Sequence, residues 1–571
     1  MKLKYQLSFS EPHTHYVEVE MHISDIKSDV LNLKMAVWTP GSYLIREYQK
    51  NIDYVSCTID GQSKRISKTD KNTWTIDTEG KKNIVVYYKV YSYEYTVRTN
   101  FIDESHALLN GAPTFLYIDG FENLPCEIDI HPFHEWLNIS TSLPYKDSNK
   151  WIRIAKNLDE LIDSPFEIGN HTSHFFEVSG IPHEIALYGK SNCDIKKLID
   201  DLQLIIREEI TIFGSHPCEN YVFVIHNTEN IFGGLEHLHS SVNFVDRWSY
   251  NTSHYQKVIS LLAHEYFHLW NVKRIRPESL GPFNYSQENF TTLLWFFEGI
   301  TSYYDDYICY RSGVTSKADY ISIIEKNLNE VLNTAGIDTQ TLSESSFDAW
   351  LKYYRRNENS NNTQVNYYTK GAVIGLILDF LILDSSNGEQ SLDDVMKALY
   401  QKFLSDPNKG INEKDILAIL NKVTNSDFSV ELHTLIHTTG LEKIDSYFEL
   451  AGIKLKDNTP KSSVFLGLNT QFQEGKLIIT ELNKNYGAYN GKLNVKDEII
   501  SIDGFRAGKD YLKLFEYKKP DEKIIILISR EGIIKQVEVT LSRDNRKNYT
   551  LQITEPISKK QAAIQKRWLF E

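Results

Sequence analysis

The chain has 571 residues, 41% of them hydrophobic and 24% charged. That is enough to bury more than one core, and at about 150 residues per domain it suggests roughly three to four domains. The formal charge of −14 disfavours nucleic acid or an anionic membrane as the main partner and suits a site that attracts cationic amines. Cys57, Cys126, Cys193, Cys218 and Cys309 are scattered without a CxxC pair, which fits reduced structural thiols rather than a disulfide framework or a cysteine zinc site.

The N-terminal segment MKLKYQLSFSEPHTHYVEVEMHIS alternates polar with apolar residues and has no apolar signal core. No later stretch reaches the roughly 18 uninterrupted apolar residues of a membrane span, so a cytoplasmic protein is expected. Over residues 1–190, short alternating runs such as Tyr16–Ile23, Asn83–Val90 and Ile152–Ile154 are separated by turn residues, which predicts an antiparallel, sandwich-like β domain. Arg98-Thr99-Asn100 and Asn110-Gly111 read as turns within it. Residues 191–457 are helix-rich. Gly233-Gly234-Leu235-Glu236-His237 punctuates the start of this region as a glycine turn carrying an acid.

Ser253 followed by Gln256 predicts a capping box, after which Val258, Leu261, Leu262 and Leu269 recur at helical spacing until Pro277. Within this run lies His264-Glu265-Tyr266-Phe267-His268. HExxH on a helix puts two imidazoles one turn apart on one face with a carboxylate beside them. Neutral imidazole nitrogens suit Zn²⁺, and the carboxylate suits proton transfer from water.

Such a centre needs a third protein ligand from downstream. Glu288 stands 20 residues after His268, and Glu298 stands 30 residues after it. Glu288 follows Ser286 in what reads as a first helical turn, where acids complement the helix dipole. Glu298 sits inside the apolar run Trp295-Phe296-Phe297-Glu298-Gly299-Ile300, where an ionised carboxylate is costly unless it meets a cation, so Glu298 is preferred. Asp305, seven residues on, falls on the same helical face and is a candidate to orient a metal-binding imidazole. The Asn-rich stretch 357–362 reads as a mobile loop. It precedes Tyr367-Tyr368-Thr369-Lys370-Gly371-Ala372 and an apolar helix from Val373 to Leu383.

After Asp457-Asn458-Thr459-Pro460 the pattern returns to short strands over residues 458–548. A tail, 549–571, ends with the basic stretch from Lys559 to Arg567, which suggests docking on an acidic surface.

Taken together, HEYFHLWNVKRIRP resembles the glycyl aminopeptidase family, zinc peptidases with a C-terminal PDZ domain, and WFFEGITSYY is similar to the WxxEGxAxYxE segment of aminopeptidases that carry HExxH. WTPGSYLIREY is similar to that family's N-terminal β domain. The resemblance implies a multidomain α+β protein with a thermolysin-like catalytic domain. It implies Zn²⁺ held by His264, His268 and Glu298, with Glu265 as the base and Tyr368 (Tyr367 in reserve) as donor to the oxyanion. GGLEH is similar to the GxMEN element, which implies that Glu236, with Gly233 and Gly234 beside it, receives the substrate's free α-amine. His237 replaces the Asn of that element.

Residues 465–468 (FLGL), Gly487-Ala488 and 493–504 resemble a PDZ domain, with Gly504 in a tight turn. Its groove would take an extended peptide or a C-terminus, or the module would instead pack on the catalytic domain to shape access. The expected activity is removal of small N-terminal residues, Gly or Ala, from peptides with a free N-terminus. A zinc endopeptidase and a PDZ scaffold with a vestigial metal site are the rival readings.

Overall fold

The computed structural model describes residues 1–59, 61–460, 463–555 and 558–569; Phe570 and Glu571, the end of the expected tail, lie outside the described residues. Backbone contacts divide the chain into two compact units. One comprises residues 1–291, 304–315 and 396–412, and the other 292–303, 316–395 and 413–571.

The first unit is built largely from sheets. An eight-stranded sheet runs in the order Tyr145–Lys146, Asn149–Ala155, Cys126–His131, Lys2–Ser8, Tyr16–Ser24, Ile84–Tyr91, Ile52–Ile59, Gln62–Lys64. Its alternation is that of a half-buried sheet: Val17, Val19, Met21 and Ile23 are buried while their neighbours are not. The expectation of a wholly antiparallel β domain needs one correction. Lys2–Ser8 pairs with Cys126–His131 in parallel, Leu3 opposite Cys126, a pairing over 120 residues that no local pattern encodes.

A five-stranded sheet follows, ordered Thr172–Val178, Ile181–Tyr188, Tyr221–Thr228, Ser240–Asp246, Gly233–Glu236. Every residue of Tyr221–Thr228 is buried, as a central strand covered on both faces requires. GGLEH is therefore not a bare turn: Gly233–Glu236 is an edge strand paired antiparallel with Ser240–Asp246, Glu236 opposite Ser241.

The second unit combines helices with a C-terminal β module. The helix Tyr367–Ser385 is apolar on all sides and buried through most of its length, as a central bundle helix must be. The module's sheet contains Leu468–Gln473, Lys476–Leu482, Glu498–Ile502, Lys523–Arg530 and Ile533–Thr540, with Leu468–Gln473 on an edge.

Asparagines and one glutamate fasten this module to the helix Lys317–Asn333. Asn329 donates to Tyr549 O (2.9 Å) and accepts from Tyr549 N (2.7 Å). Asn333 does the same with Lys547 O (2.8 Å) and N (2.6 Å), and Glu325 accepts from Leu551 N at 2.7 Å. Steps of four along a helix rise about 6 Å, and steps of two along a strand about 6.6 Å. The helix face therefore serves as a pairing edge for the strand Tyr549–Ile553, whose other edge meets Ile453–Asp457.

Two expectations fall here. The Asn-rich segment is not a mobile loop: Ser360–Thr363 is a short helix, and the Asn362 side chain donates to Leu482 O (2.7 Å) and accepts from Lys484 N (2.9 Å). Amides whose backbone-like groups find partners are order-forming whatever their composition. The tail docks mainly through apolar residues. Ile564 and Trp568 of the helix Lys559–Leu569 are fully buried, Trp568 lying edge-on to Phe380 at 5.1 Å, while Lys560 adds an ion pair to Asp384 at 2.8 Å.

Replacing Asn329 and Asn333 by Ala removes four hydrogen bonds. We expect each substitution to cost about 1 to 2 kcal/mol and to expose the strand Tyr549–Ile553 to proteolysis, read by thermal unfolding and by mapping the cleavage sites.

Candidate active site

The helix Tyr255–Phe267 carries His264 and Glu265 and has His268 as its C-cap. The expected Ser253 capping box is absent. His254 occupies the N-cap without a side-chain cap bond, because Thr252 forms the entry turn by accepting from His254 N at 3.1 Å and Gln256 faces sideways to accept from the Thr315 hydroxyl.

Between the two histidines, the buried Tyr266 pins the helix to the five-stranded sheet. Its hydroxyl meets His183 Nε2 at 2.7 Å and His216 Nε2 at 2.6 Å. Burial lowers both imidazoles to about 4, so both are neutral near pH 7. The Tyr266 hydroxyl donates to His183, whose Nδ1–H is used on Ile181 O (2.9 Å). It accepts from His216, whose Nδ1 receives Cys218 N (3.1 Å).

Each metal-ligand candidate on this helix is held through its other nitrogen. His264 Nδ1 donates to Asp305 Oδ2 at 2.9 Å, and His268 Nδ1 donates to Asn271 O at 2.7 Å. Both bonds put the lone pair on Nε2, the tautomer a metal ligand needs. The acceptor Asn271 O is presented by a tight turn in which the β-branched Val272 has φ 112°, a costly conformation. Behind Asp305, the helix Ile195–Phe213 places Glu209 wholly buried, with neither carboxylate oxygen bonded among the described residues. Burial, then the charge of Asp305, raises its pKa well above the usual range. Glu209 lies far upstream of the motif, and no local pattern marked it.

Glu236, Glu265 and His268 converge, one donor atom of each lying within 4.8 Å of the others. Glu236 and Glu265 are 4% and 5% exposed, and Glu236 Oε1 is buried without a hydrogen-bond partner among the described residues. A Cβ on Gly234 would lie 2.5 Å from Glu265 Cδ, so the second glycine of GGLEH is what lets the carboxylate of Glu265 approach the edge strand. Gly233 faces open space.

His237, which replaces the Asn of the GxMEN element, is structurally committed on one side. Its Nδ1 meets Asp163 Oδ1 at 3.0 Å. Asp163 also takes Lys273 Nζ (3.0 Å) and Leu238 N (2.9 Å). Burial alone would raise Asp163, but the charge of Lys273 and the bond from His237 outweigh it and hold it below the ordinary carboxylate value. Asp163 is 74 positions from His237 and went unnoticed in the sequence.

In the second unit, Glu298 lies in a π-helical turn, Trp295–Gly299, and is 2% exposed. Such turns recur at functional sites. A Cβ on Gly299 would lie 2.7 Å from Tyr367 O, and one on Gly371 would lie 2.6 Å from Gly299 Cα. The glycines of EG and KGA thus exist for each other. Tyr368 opens the helix Tyr367–Ser385, its backbone N–H capped by Asn366 Oδ1 at 2.9 Å. Burial, then the charge of Glu298, raises its phenol well above the usual range, so it remains a donor. Glu288 lies in irregular chain, without the helical turn expected around it.

A second His/acid group is fully buried in the first unit. Glu167 accepts from His106 Nδ1 and His226 Nε2, each at 2.9 Å, and Tyr95 OH meets His226 Nδ1 at 3.0 Å. The nitrogens aimed at Glu167 serve as hydrogen-bond donors, so the group reads as a buried clasp between strands. Burial opposes ionisation of Glu167, yet the two imidazoles outweigh it and hold the carboxyl far below its ordinary value.

Residues 4–170 match the Peptidase M61 N-terminal domain, and residues 257–374 match M61 glycyl aminopeptidase. An aminopeptidase N family protein from Idiomarina loihiensis is 29% identical in a superposition covering 98% of this chain and 100% of that one, with a TM-score of 0.93. The chain is also similar to an M1 zinc metallopeptidase from Deinococcus radiodurans, at 9% identity and a TM-score of 0.49 over 76% of this chain and 93% of that one. No curated protein matches the chain in sequence. The chain is a metallopeptidase. Its N-terminal β-sheet domain and its helical domain bearing HExxH are similar to the two domains of M61 aminopeptidases.

Asp305→Asn should weaken zinc retention by about 10- to 100-fold, measured by competition with a chelator. For Glu167, whose pKa is depressed on folding, the stabilisation is complete above the ordinary value of 4.5 and is lost as pH falls through the folded value. Glu167→Gln should therefore flatten the decline of melting temperature between about pH 5 and pH 3.

Proposed function

We propose that the protein removes small N-terminal residues, Gly or Ala, from peptides with a free amine, and that His264, His268 and Glu298 hold its zinc. The observation that carries this reading is the buried, unbonded Oε1 of Glu236 close to Glu265 and His268. A carboxylate oxygen buried in this way favours a cation, and an α-ammonium held by Glu236 would leave room for only one residue before the bond to be cleaved.

The histidines fit zinc because both bear their lone pair on Nε2. Support for Glu298 comes from its burial and from its place seven residues before Asp305, which meets His264, in one helical run. Zinc, when bound, supplies Lewis acidity toward a carbonyl oxygen and toward water. Glu265 accepts the proton of the attacking water and delivers it to the departing amine, and Tyr368 donates its phenolic hydrogen to the oxygen that gains charge.

The C-terminal module we read as a PDZ domain. Its groove, about 810 Å³, runs between the edge strand Leu468–Gln473 and the turn Tyr511–Phe515 and is lined by Phe465, Leu466 and Leu468. That geometry suits an added peptide strand. Free cysteines throughout and, among the described residues, no helix long and apolar enough to cross a membrane support action in the cytoplasm.

Glu265→Gln should lower kcat on glycyl and alanyl anilides by about 10²- to 10⁴-fold with zinc content unchanged. Peptides with an acetylated N-terminus should be poor substrates; their hydrolysis at the rate of free peptides would establish an endopeptidase instead.

A further inference from the structure

The N-terminal β domain contributes a segment, Thr39-Pro40-Gly41-Ser42, that no sequence motif tied to the chemistry. Ser42 N donates to Thr39 O at 3.1 Å, with Pro40 at the second position and Gly41, at φ +82°, at the third. This is a type II turn, which demands positive φ at that third position. Thr39 and Ser42 are fully buried. The turn is anchored on both sides: Trp38 Nε1 donates to Asn284 O (2.9 Å) and Val37 N to Tyr285 O (2.9 Å), and Arg46 Nη2 donates to Ser42 Oγ (2.9 Å).

What this anchored turn touches is Glu236. A Cβ built on Gly41 would fall 2.6 Å from Oε1 and closer still to Oε2 of Glu236, whereas Gly61, Gly80 and Gly120, also at positive φ in turns of this domain, face open space. Backbone freedom alone therefore does not account for Gly41. Its missing side chain leaves the place that the carboxylate occupies.

We propose that Gly41 is a positioning residue for amine recognition: the Thr39–Ser42 turn forms the back wall of the pocket for the substrate's α-ammonium, and its backbone sets where the Glu236 carboxylate stands. The proposal rests on Glu236 binding that amine. It makes the β domain part of the peptidase's exopeptidase register, because a carboxylate displaced from the wall would no longer meet an ammonium placed one residue from the scissile bond.

The test is a pair of mutant cycles on the full-length, zinc-loaded enzyme. Gly41→Ala should lower kcat/KM for glycyl and alanyl anilides at least tenfold, mainly through KM. Gly41→Ala with Glu236→Asp, which withdraws the carboxylate by one methylene, should recover much of that loss although each single change is harmful. Strain from positive φ is common to Gly120→Ala, which should lower the melting temperature without changing KM.

A stability cycle covers the case in which Gly41→Ala folds poorly. The part of its melting-temperature loss beyond that of Gly120→Ala should vanish when Glu236→Ala removes the group the methyl strikes. Wild-type KM in Gly41→Ala, or no recovery in either double variant, overturns the role of Gly41. If Glu236→Ala slows free and acetylated peptides alike while the stability cycle still shows recovery, the contact stands and the amine reading is what fails.

Discussion

The constraint on which the rest depends is the cost of holding ionisable groups out of water beside one another. Around the HExxH helix, two of the protein's cations are engaged by groups other than the acids of the motif. Lys273 is bound to Asp163, and Arg274 donates to the carbonyls of Leu238 and Leu269. His183 and His216 are kept neutral by burial. Glu236 and Glu265 are buried acids close to His268. The same logic explains why Glu167 is silent: its two imidazoles satisfy it internally.

Backbone proximity is the second device. Gly234 admits the Glu265 carboxylate, Gly41 admits Glu236, and Gly299 and Gly371 admit each other. In each case a side chain is absent because a functional group or another backbone stands where its Cβ would be. Only Gly41 of these four also uses positive φ. Gly234 of GGLEH and the glycines of EG and KGA are therefore packing statements about the groups beside them, which is why those short motifs carry more information than their length suggests.

Legibility in the sequence followed locality. Helical periodicity displayed His264, Glu265 and His268 on one turn, and the seven-residue interval from Glu298 to Asp305 anticipated the bond from Asp305 to His264. Alternation revealed strands such as Tyr16–Ser24. What stayed hidden depends on contacts between distant segments: the parallel pairing of Lys2–Ser8 with Cys126–His131, the hold of Asp163 on His237, and the approach of Gly41 to Glu236. The capping box failed for a related reason. Ser253 and Gln256 have the right spacing, but Thr252 completes the entry turn first and Thr315, 59 positions on, engages Gln256.

Composition misled most where asparagine was concerned. Read as a solvated residue, it signals loops; paired through both amide groups, it imitates a strand. Asn329 and Asn333 use that property to hold the strand Tyr549–Ile553 on a helix, and Asn362 uses it at Leu482 and Lys484. The second use bears on chemistry. Asn362 stands four residues before Asn366, the residue that caps the helix of Tyr368, so the C-terminal module fixes the chain immediately upstream of the phenol. A segment left loose there would let the first turn of that helix fray, since an unsupported N-terminus has four unsatisfied donors. The module therefore supports the start of the helix Tyr367–Ser385 independently of anything its groove binds.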